Sequence, residues 1–533
     1  MKLHSEINKF SRFSVILISL IAILGVVSVF YYTRYGPGLS SDSVAYIQGA
    51  INLKSGHGYS RFSGENSLEP ITGFPPVFSA VLASLSLSGM DVLSVGRILN
   101  AILFGVNIFL VGLLIFYSTR SLWASLLGCM LGMGFWGMIL THAWLMSEAL
   151  FILWMLLSFY VFTRYMENEH HLLIILVGIL AALSVLTRYA GLSLVATFAL
   201  GILLFNRQSW KQRIIDVFIL IGVSIIPVIF WVYRNFRLAE TMTNRVAGYY
   251  RLSYELLAAY ANEWTTWLFP RPFDLPWRPR VISTFSIIVV VSLLYIYTQY
   301  KGGFRKKELF ASESSLPWIL LIFIPVYASA IIFNNMFFDA ISSLSAVRRF
   351  FLPLFISLVV LMVNMVYNMV WGKSNRFWLK AISTGYILVI IIFQIVGSAS
   401  KLSTTDMDLG LTNARRFWTD VTAGLRKLDL SDPLISDNPQ LLYILCGRSA
   451  YRTPVLFNRY TGQNEANFDV KLAEMRQRMV NGAILVIFQR YNEDQTNVQD
   501  EESYVKRITK GLDLVKTYSH AQVYIFPTLE PSP

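Results

Sequence analysis

For its first 400 residues the chain alternates long apolar runs with short polar breaks. A membrane-spanning helix needs about 20 mostly apolar residues. About eleven runs qualify, centred on 14–32, 95–117, 121–140, 144–163, 171–187, 190–205, 214–233, 282–299, 316–334, 350–371 and 380–398. Several are short or joined by tight turns. The first follows Lys2, Lys9 and Arg12, as a signal peptide would. It is too long, however, and runs on into Ser28–Arg34 without a small-x-small cleavage site, so it reads as an uncleaved anchor. Beyond residue 400 the pattern changes. Pro433-Leu-Ile-Ser-Asp437 reads as a strand, Asn438-Pro439 opens a helix that Gly447 stops, and Ala483–Phe488 and Gln522–Phe526 read as strands. Residues 500–511 read as an amphipathic helix. The expected architecture is an α-helical polytopic membrane protein over residues 1–400, followed by a small soluble α/β domain over 401–533.

Composition agrees. The 533 residues are 55% hydrophobic and 14% charged, against about 25% charged in soluble domains. This excludes disorder and argues against a water-soluble enzyme. An excess of 45 Lys+Arg over 32 Asp+Glu gives a net charge of +13. In a membrane protein that excess points to anionic headgroups or phosphorylated lipids, not nucleic acid. The two cysteines, Cys129 in an apolar run and Cys446 in the tail, exclude a disulfide-built domain.

Charges in the short loops orient the chain. With a cytoplasmic N-terminus, the inside loops hold Arg120, Arg164, Arg207, Lys211, Arg213, Lys301, Arg305, Lys306, Lys307, Lys373, Arg376 and Lys380, and the short outside turns hold Arg188, Arg348 and Arg349. Three segments then lie outside: 34–94, 234–281 and the tail. Between the first and last spans these outside segments contain one lysine, Lys54; their other cations are arginines. Arginine offers a planar, permanently charged fork for phosphate or carboxylate. Snorkelling to headgroups is the alternative use.

The first outside loop runs Gly38-Leu-Ser-Ser-Asp42, Tyr46 four residues on, Gly56-His57-Gly58-Tyr59, then Thr72-Gly-Phe-Pro75-Pro76-Val-Phe78, with Arg97 opening the second span. Ser41 or Asp42 can cap a short helix ending at Gly56, with Tyr46 on the face of Asp42. The apolar stretch after Pro76 is too short to span and is expected in the interface. This order resembles the polyprenyl-phosphate-dependent GT-C glycosyltransferases, which include the protein O-mannosyltransferases and the lipid A aminoarabinose transferases. Ser147-Glu148-Ala-Leu-Phe, Leu186-Thr-Arg188-Tyr-Ala-Gly-Leu192 and Arg348-Arg349-Phe-Phe-Leu-Pro353, all at outer span ends, agree with it. The resemblance covers roughly residues 1–400. The tail, with Asn438-Pro439 and Gly447-Arg448, is similar to the soluble C-terminal domains of some bacterial members.

The resemblance implies an inverting transfer of a hexose or pentose from a polyprenyl phosphate to an acceptor hydroxyl on the extracytoplasmic face, in cell-envelope glycosylation; the lack of needed disulfides and the short loops fit a bacterial inner membrane. The departing phosphate needs cations, and the acceptor hydroxyl needs a carboxylate to take its proton. Asp42 occupies the family's catalytic position; read alone it is a helix cap. Glu148 assists at the site or forms an ion pair with Arg188 or Arg97. Arg188, Arg348, Arg349 and Arg97 are expected to hold the donor phosphate, interfacial anchoring being their alternative. Tyr46, His57 and Tyr59 are expected substrate contacts. His57, with Glu65 and Glu69 nearby, has no ligand spacing, so no metal or other cofactor is expected, although the chemistry allows metal assistance. His142 is read as a second outside histidine. In the second loop Trp264, Trp267 and Trp277 interleave with seven arginines, as a lid or an aromatic belt. The acceptor, whether protein, lipid or polysaccharide, stays open. A transporter or flippase is disfavoured by the lack of paired repeats and midplane charges. A non-catalytic assembly protein of envelope glycan synthesis is the other alternative.

Overall fold

Residues that are apolar on every face make helices that bury one side in protein and the other in lipid. Helix α1 (Arg12–Tyr32) shows this: Ile18, Ala22 and Val29 pack inward while Ile16, Leu20, Leu24 and Val27 are exposed. In this computed structural model the described residues are 12–64, 67–245, 247–268, 314–338, 347–372, 377–403, 409–428, 432–458, 463–464, 466–488 and 498–527, with isolated helical positions between 282 and 296.

After α1 come α2 (Ser41–Lys54), the hairpin β1 (Ser60–Phe62) and β2 (Leu68–Pro70), and the short apolar helix α3 (Val77–Ser86). Helix α4 (Val92–Thr119) leads into α5 (Leu122–Gly134) and α6 (Trp136–Ala143), a pair bent by 59°. The bend falls at Gly134, whose freed carbonyl accepts a hydrogen bond from Ser398 Oγ at 2.7 Å. Then follow α7 (Glu148–Asn168), α8 (His171–Thr187), α9 (Leu192–Phe205), α10 (Trp210–Ala239), α11 (Tyr254–Leu268), α12 (Leu316–Phe337), α13 (Val347–Val366, continued by a wider turn to Trp371) and α14 (Phe377–Ser403).

Seven of these helices are long and apolar enough to cross a membrane, and the bent α5–α6 pair makes an eighth. Helices α8 and α9 coincide with two further expected spans but are only 17 and 14 residues long. The expected span 282–299 lies outside the described residues apart from isolated positions. Helix α7 begins at Glu148, four residues after the start of its apolar run, because Trp144 and Leu145 are drawn into an extended contact. The bundle core is aromatic: Phe159 meets Phe198 and Phe323 edge-on, and Phe162 stacks on Phe198 at 4.5 Å. At the far end of α7, Tyr165 donates to the buried Asp216 at 2.5 Å and accepts from Asn206, tying α7 to α10 and the end of α9.

The tail contains α15 (Leu411–Phe417), α16 (Thr419–Leu425), β3 (Leu434–Ser436), α17 (Pro439–Cys446), β4 (Tyr451–Arg452), a hairpin of β5 (Phe457–Asn458) and β6 (Gln463–Asn464), α18 (Phe468–Val480), β7 (Ile484–Phe488), α19 (Val498–Thr509), β8 (Asp513–Thr517) and β9 (Ala521–Ile525). Its main sheet has the order β4-β3-β7-β9-β8, with β3 parallel to β4 and β7 and the last two strands antiparallel. Asn438 caps α17 and Gly447 ends it in a left-handed turn, as its sequence requires. Strand β8 escapes sequence reading because it is an exposed edge with no alternating face.

Three chain segments distant in sequence meet between bundle and tail. Gly38 donates to the carbonyl of Ala143 and accepts from Leu145 N, while Leu39 donates to the carbonyl of Leu409 and accepts from Leu411 N, at 2.8–3.1 Å. The fit is tight. A Cβ on Gly38 would fall 2.7 Å from the Trp144 ring, and one on Gly410, at φ +56°, would fall 2.3 Å from the Leu39 carbonyl oxygen. Around this ladder one apolar core runs from Val44, Ile47 and Leu82 to Leu411, Leu441, Leu445 and Val486.

Gly447→Ala, left-handed but with open space around it, should cost about 1–2 kcal/mol. Gly410→Ala should cost about 1–3 kcal/mol more from overpacking against backbone. Thermal unfolding of the two variants in one detergent orders them. In the tail, burial pushes the Asp437 carboxyl up to about 6 despite a hydrogen bond from Phe488 N. The folded tail therefore holds this proton more tightly than the unfolded chain, whose aspartate titrates near 3.8. The resulting stability is fully present below that value and is lost as pH rises through about 6. Asp437→Asn should be more stable than the parent at pH 7.5, with the gap closing as pH approaches 4.

Candidate active site

The ladder delivers two loop ends side by side: Ser40–Ser43 opens α2, and Met146–Glu148 opens α7. Ser40 accepts from Ser43 N, and Ser43 Oγ accepts from Ser40 N, so Ser40 caps α2 in a reciprocal box. The sequence pointed to Ser41 or Asp42 as the cap. With Ser40 in that role the Asp42 carboxylate is released from capping, and its side chain keeps 39% of its exposure. Both serine hydroxyls also reach Met146 Sδ, at 3.3–3.4 Å. One turn on, Tyr46 OH meets Ser147 Oγ at 3.0 Å, fixing α2 to the head of α7.

Glu148 is the first residue of α7 and is 1% exposed. Its negative charge suits the positive end of a helix, but burial demands a closer partner. Arg188 supplies it, with Nη1 2.9 Å from Glu148 Oε1 and 3.2 Å from Ser147 Oγ. Arg188 is held by the turn Tyr189–Gly191 between α8 and α9, where a Cβ on Gly191 would fall 2.5 Å from the backbone nitrogen of Val185. Arg349, from the first turn of α13, bridges both acids: its Nη1 lies 3.6 Å from Glu148 Oε1 and 3.8 Å from Asp42 Oδ2. Both guanidinium groups lie within 6 Å of the Phe350 ring, at 5.8 and 5.9 Å. Arg348 turns to another acid, Glu263 on α11, at 3.5 Å.

The structure thus gathers Asp42, Tyr46, Glu148, Arg188 and Arg349, with Arg348 beside them on its own acid. It places the remaining expected residues elsewhere. Arg97 donates to Thr33 Oγ1 at 3.0 Å and to the Phe30 carbonyl at 3.1 Å, pinning α4 to the end of α1. His57 lies on the exposed turn after α2, its backbone nitrogen bonded to the Asn52 carbonyl. Tyr59 is buried beside Trp231, with its backbone carbonyl and that of Ile71 held by Arg234. Burial pushes its hydroxyl well above the ordinary value. His142 is buried, with contacts to Asn107 and the Met138 carbonyl.

Glu263 was missed by the sequence reading. Its only signal is position: Tyr260, Glu263, Trp264 and Trp267 share one face of α11. Tyr260, Trp264 and Trp267 pack on Phe351 at ring distances of 4.8–6.5 Å, so these two tryptophans form neither belt nor open lid. Trp277 lies outside the described residues. Among the described residues no three His, Cys, Asp or Glu side chains are grouped as a metal site would need.

No protein-family model matches the chain, and no curated protein matches it. Solved structures match along nearly its full length. ArnT from Cupriavidus metallidurans bound to undecaprenyl phosphate covers 95% of this chain and 97% of its own, with 11% identity and a TM-score of 0.56. The apo state of the same protein gives 0.58 at the same identity and coverage. The archaeal oligosaccharyltransferase AglB from Archaeoglobus fulgidus, in complex with an inhibitory peptide and a dolichol-phosphate, covers 88% of this chain and 69% of its own at 12% identity and a TM-score of 0.50. These are GT-C structures, and the chain has the GT-C fold: a polytopic helical membrane unit with a small α/β region at the C-terminus.

Removing one partner of a buried ion pair leaves an uncompensated charge, at about 3–5 kcal/mol. Arg188→Met should therefore lower the thermal midpoint sharply. Glu148→Leu added to Arg188→Met should restore most of it, since an apolar pair of similar volume is tolerated. A double variant no more stable than the single one would contradict the pairing.

Proposed function

We propose that the protein is an integral-membrane inverting glycosyltransferase that moves a sugar from a polyprenyl phosphate to an acceptor hydroxyl. One observation carries the reading: Asp42, relieved of capping by Ser40, stands 3.8 Å from an arginine that also reaches the buried Glu148–Arg188 pair. The GT-C fold supports it, as do the polyprenyl phosphates bound by the ArnT and AglB structures.

The chemistry follows from the charges. The acceptor oxygen attacks the anomeric carbon as the bond from that carbon to the phosphate oxygen breaks, and the pair of electrons leaves with the polyprenyl phosphate. That leaving group is already anionic, so it needs cations rather than a proton donor. Arg349 and Arg188 would supply them, with Arg348 once it exchanges Glu263 for phosphate. Asp42 would take the acceptor proton. Glu148 is too enclosed by arginines to act as a second base; it would keep both guanidinium groups in place before the donor arrives. No metal or cofactor is assigned a step.

In this reading the site faces the extracytoplasmic side of a bacterial inner membrane. The N-terminus lies in the cytoplasm, and residues 401–533 form a separate domain outside. The short-loop charges favour that orientation. The tail packs at the same end of the bundle as Asp42, through Leu39 and Leu409–Leu411. The cations gather at that end of the spans, which favours an enzyme at the bilayer surface over a translocation path through the midplane.

The test is transfer by the purified full-length protein with a panel of polyprenyl-phosphate sugars, read by mass spectrometry of the acceptor pool. Asp42→Asn should lower turnover by roughly 10²–10⁴-fold while the protein still inserts and retains the donor. Wild-type turnover in Asp42→Asn, or no binding of any polyprenyl phosphate by the parent, would remove the proposal.

A further inference from the structure

On the far side of α2 from Asp42 lies a second basic site. A cavity of about 330 Å³ opens between the membrane unit and the tail, lined by Ile47 and Ile51 of α2, Asp91 and Leu93 at the head of α4, and Arg415 and Arg426 of the tail. At about 100° per residue, Ile47 and Ile51 lie roughly 140–180° around α2 from Asp42. A group bound here therefore has the helix between it and the candidate base.

Its lining is net basic, with two arginines against one carboxylate. Asp91 is the one acid in the lining, and its carboxylate accepts from Ser94 N at 3.0 Å as the cap of α4. Among the described residues neither the Arg415 nor the Arg426 guanidinium has an ion-pair or hydrogen-bond partner. Lys54, on the same face of α2 as Ile47 and Ile51, extends the basic lining toward α3, where it donates to the Ser86 carbonyl at 2.8 Å. The end of α3 and the loop after it expose apolar side chains: Leu85, Leu87 and Met90 are 47%, 71% and 42% exposed. Depth fits as well. Helix α4 has 28 residues, about 42 Å at 1.5 Å per residue, against a hydrocarbon core of about 30 Å. A helix longer than the hydrocarbon core carries its ends, the capped head at Asp91 among them, to the headgroup layers.

We propose that this cavity binds the phosphate of an anionic membrane phospholipid, the headgroup between Arg415 and Arg426 and the acyl chains along Leu85, Leu87 and Met90. The recognised chemistry is a phosphate anion. The exposed apolar residues of the loop that leads into Asp91 assign it to a lipid rather than to a soluble phosphate. Bound there, the lipid joins the tail to the bilayer through a contact separate from the Asp42 site and independent of any reaction there.

The test is native mass spectrometry of the full-length protein released from mixed micelles of phosphatidylglycerol and phosphatidylcholine. The parent should retain phosphatidylglycerol preferentially. Arg415→Gln with Arg426→Gln should cut that preference by roughly fivefold or more, the scale of one basic residue at an anionic surface. Arg207→Gln with Lys211→Gln, at the opposite end of the bundle, should leave it unchanged. An unchanged preference in the first pair overturns the proposal. Loss of the bound lipid to an equal concentration of glycerol phosphate would also overturn it, because the site would then be one for a soluble anion. If the double variant does not fold, each single change should show a smaller loss in the same assay, and none would again overturn it.

Discussion

Everything at the candidate site depends on a clamp two residues long. Gly38 and Leu39 lie extended between Ala143–Leu145 on one side and Leu409–Leu411 on the other. The residue after this clamp caps α2, and two residues beyond the cap comes Asp42. On the opposing segment, three residues past Leu145, α7 starts with Glu148. Backbone hydrogen bonds, reinforced by the Tyr46–Ser147 contact, thus set the spacing of the two carboxylates. They do so where flexible loop ends would otherwise leave it undefined. The clamp demands glycine twice, at Gly38 because the Trp144 ring presses on it and at Gly410 because the Leu39 carbonyl does. Its third strand comes from the tail's approach, so the tail is part of the frame that places Asp42.

Around that frame charge is balanced before any ligand enters. Asp42, Glu148 and Glu263 face Arg349, Arg188 and Arg348. A buried cluster of one sign would be too costly to hold folded, so acids are needed to keep the arginines in place while the site is empty. Those acids differ in enclosure. Glu148 is sealed, whereas Asp42 keeps 39% of its side chain open and stands 3.8 Å from its arginine. An anion arriving at Arg349 would compete with the long, exposed contact to Asp42 before the short, buried one between Glu148 and Arg188. The carboxylate freed by that exchange is Asp42, the base of the proposed mechanism.

Hydrophobic run length made the helices readable, because lipid imposes about 20 apolar residues on each crossing whatever the neighbours are. Local rules also fixed Asn438-Pro439 as a helix start and Gly447 as its stop. The resemblance of Asp42, Glu148, Arg188 and Arg348-Arg349 to one family brought the cluster's members to notice. Single-chain spacing could not say which cations join it. Arg97 is the nearest in sequence to Asp42 of the four expected cations, yet Thr33 and Phe30 claim it. Tyr59 reads as a substrate contact in the sequence, but an aromatic residue five positions past a helix end can equally turn inward, and Trp231 and Arg234 draw it there. Glu263 was invisible because its partner is 85 residues away, and the clamp because its strands are over 100 and 370 residues apart. Contacts at such separations leave no periodicity in the chain.

Helix α2 carries two chemistries on opposite faces, which explains why its residues are so varied for an outer helix of 14. One face presents Asp42 and Tyr46 to α7 and α13. The other presents Ile47, Ile51 and Lys54 to the tail and to the turn after α3. The two faces share a rigid backbone, so a change in how the tail sits against Ile47 and Ile51 would be felt at Ser40 and Asp42 through the same helix and the same clamp. A tail seated by a bilayer headgroup would therefore support the clamp from the face of α2 opposite Asp42, whether or not Asp42 takes part in a reaction.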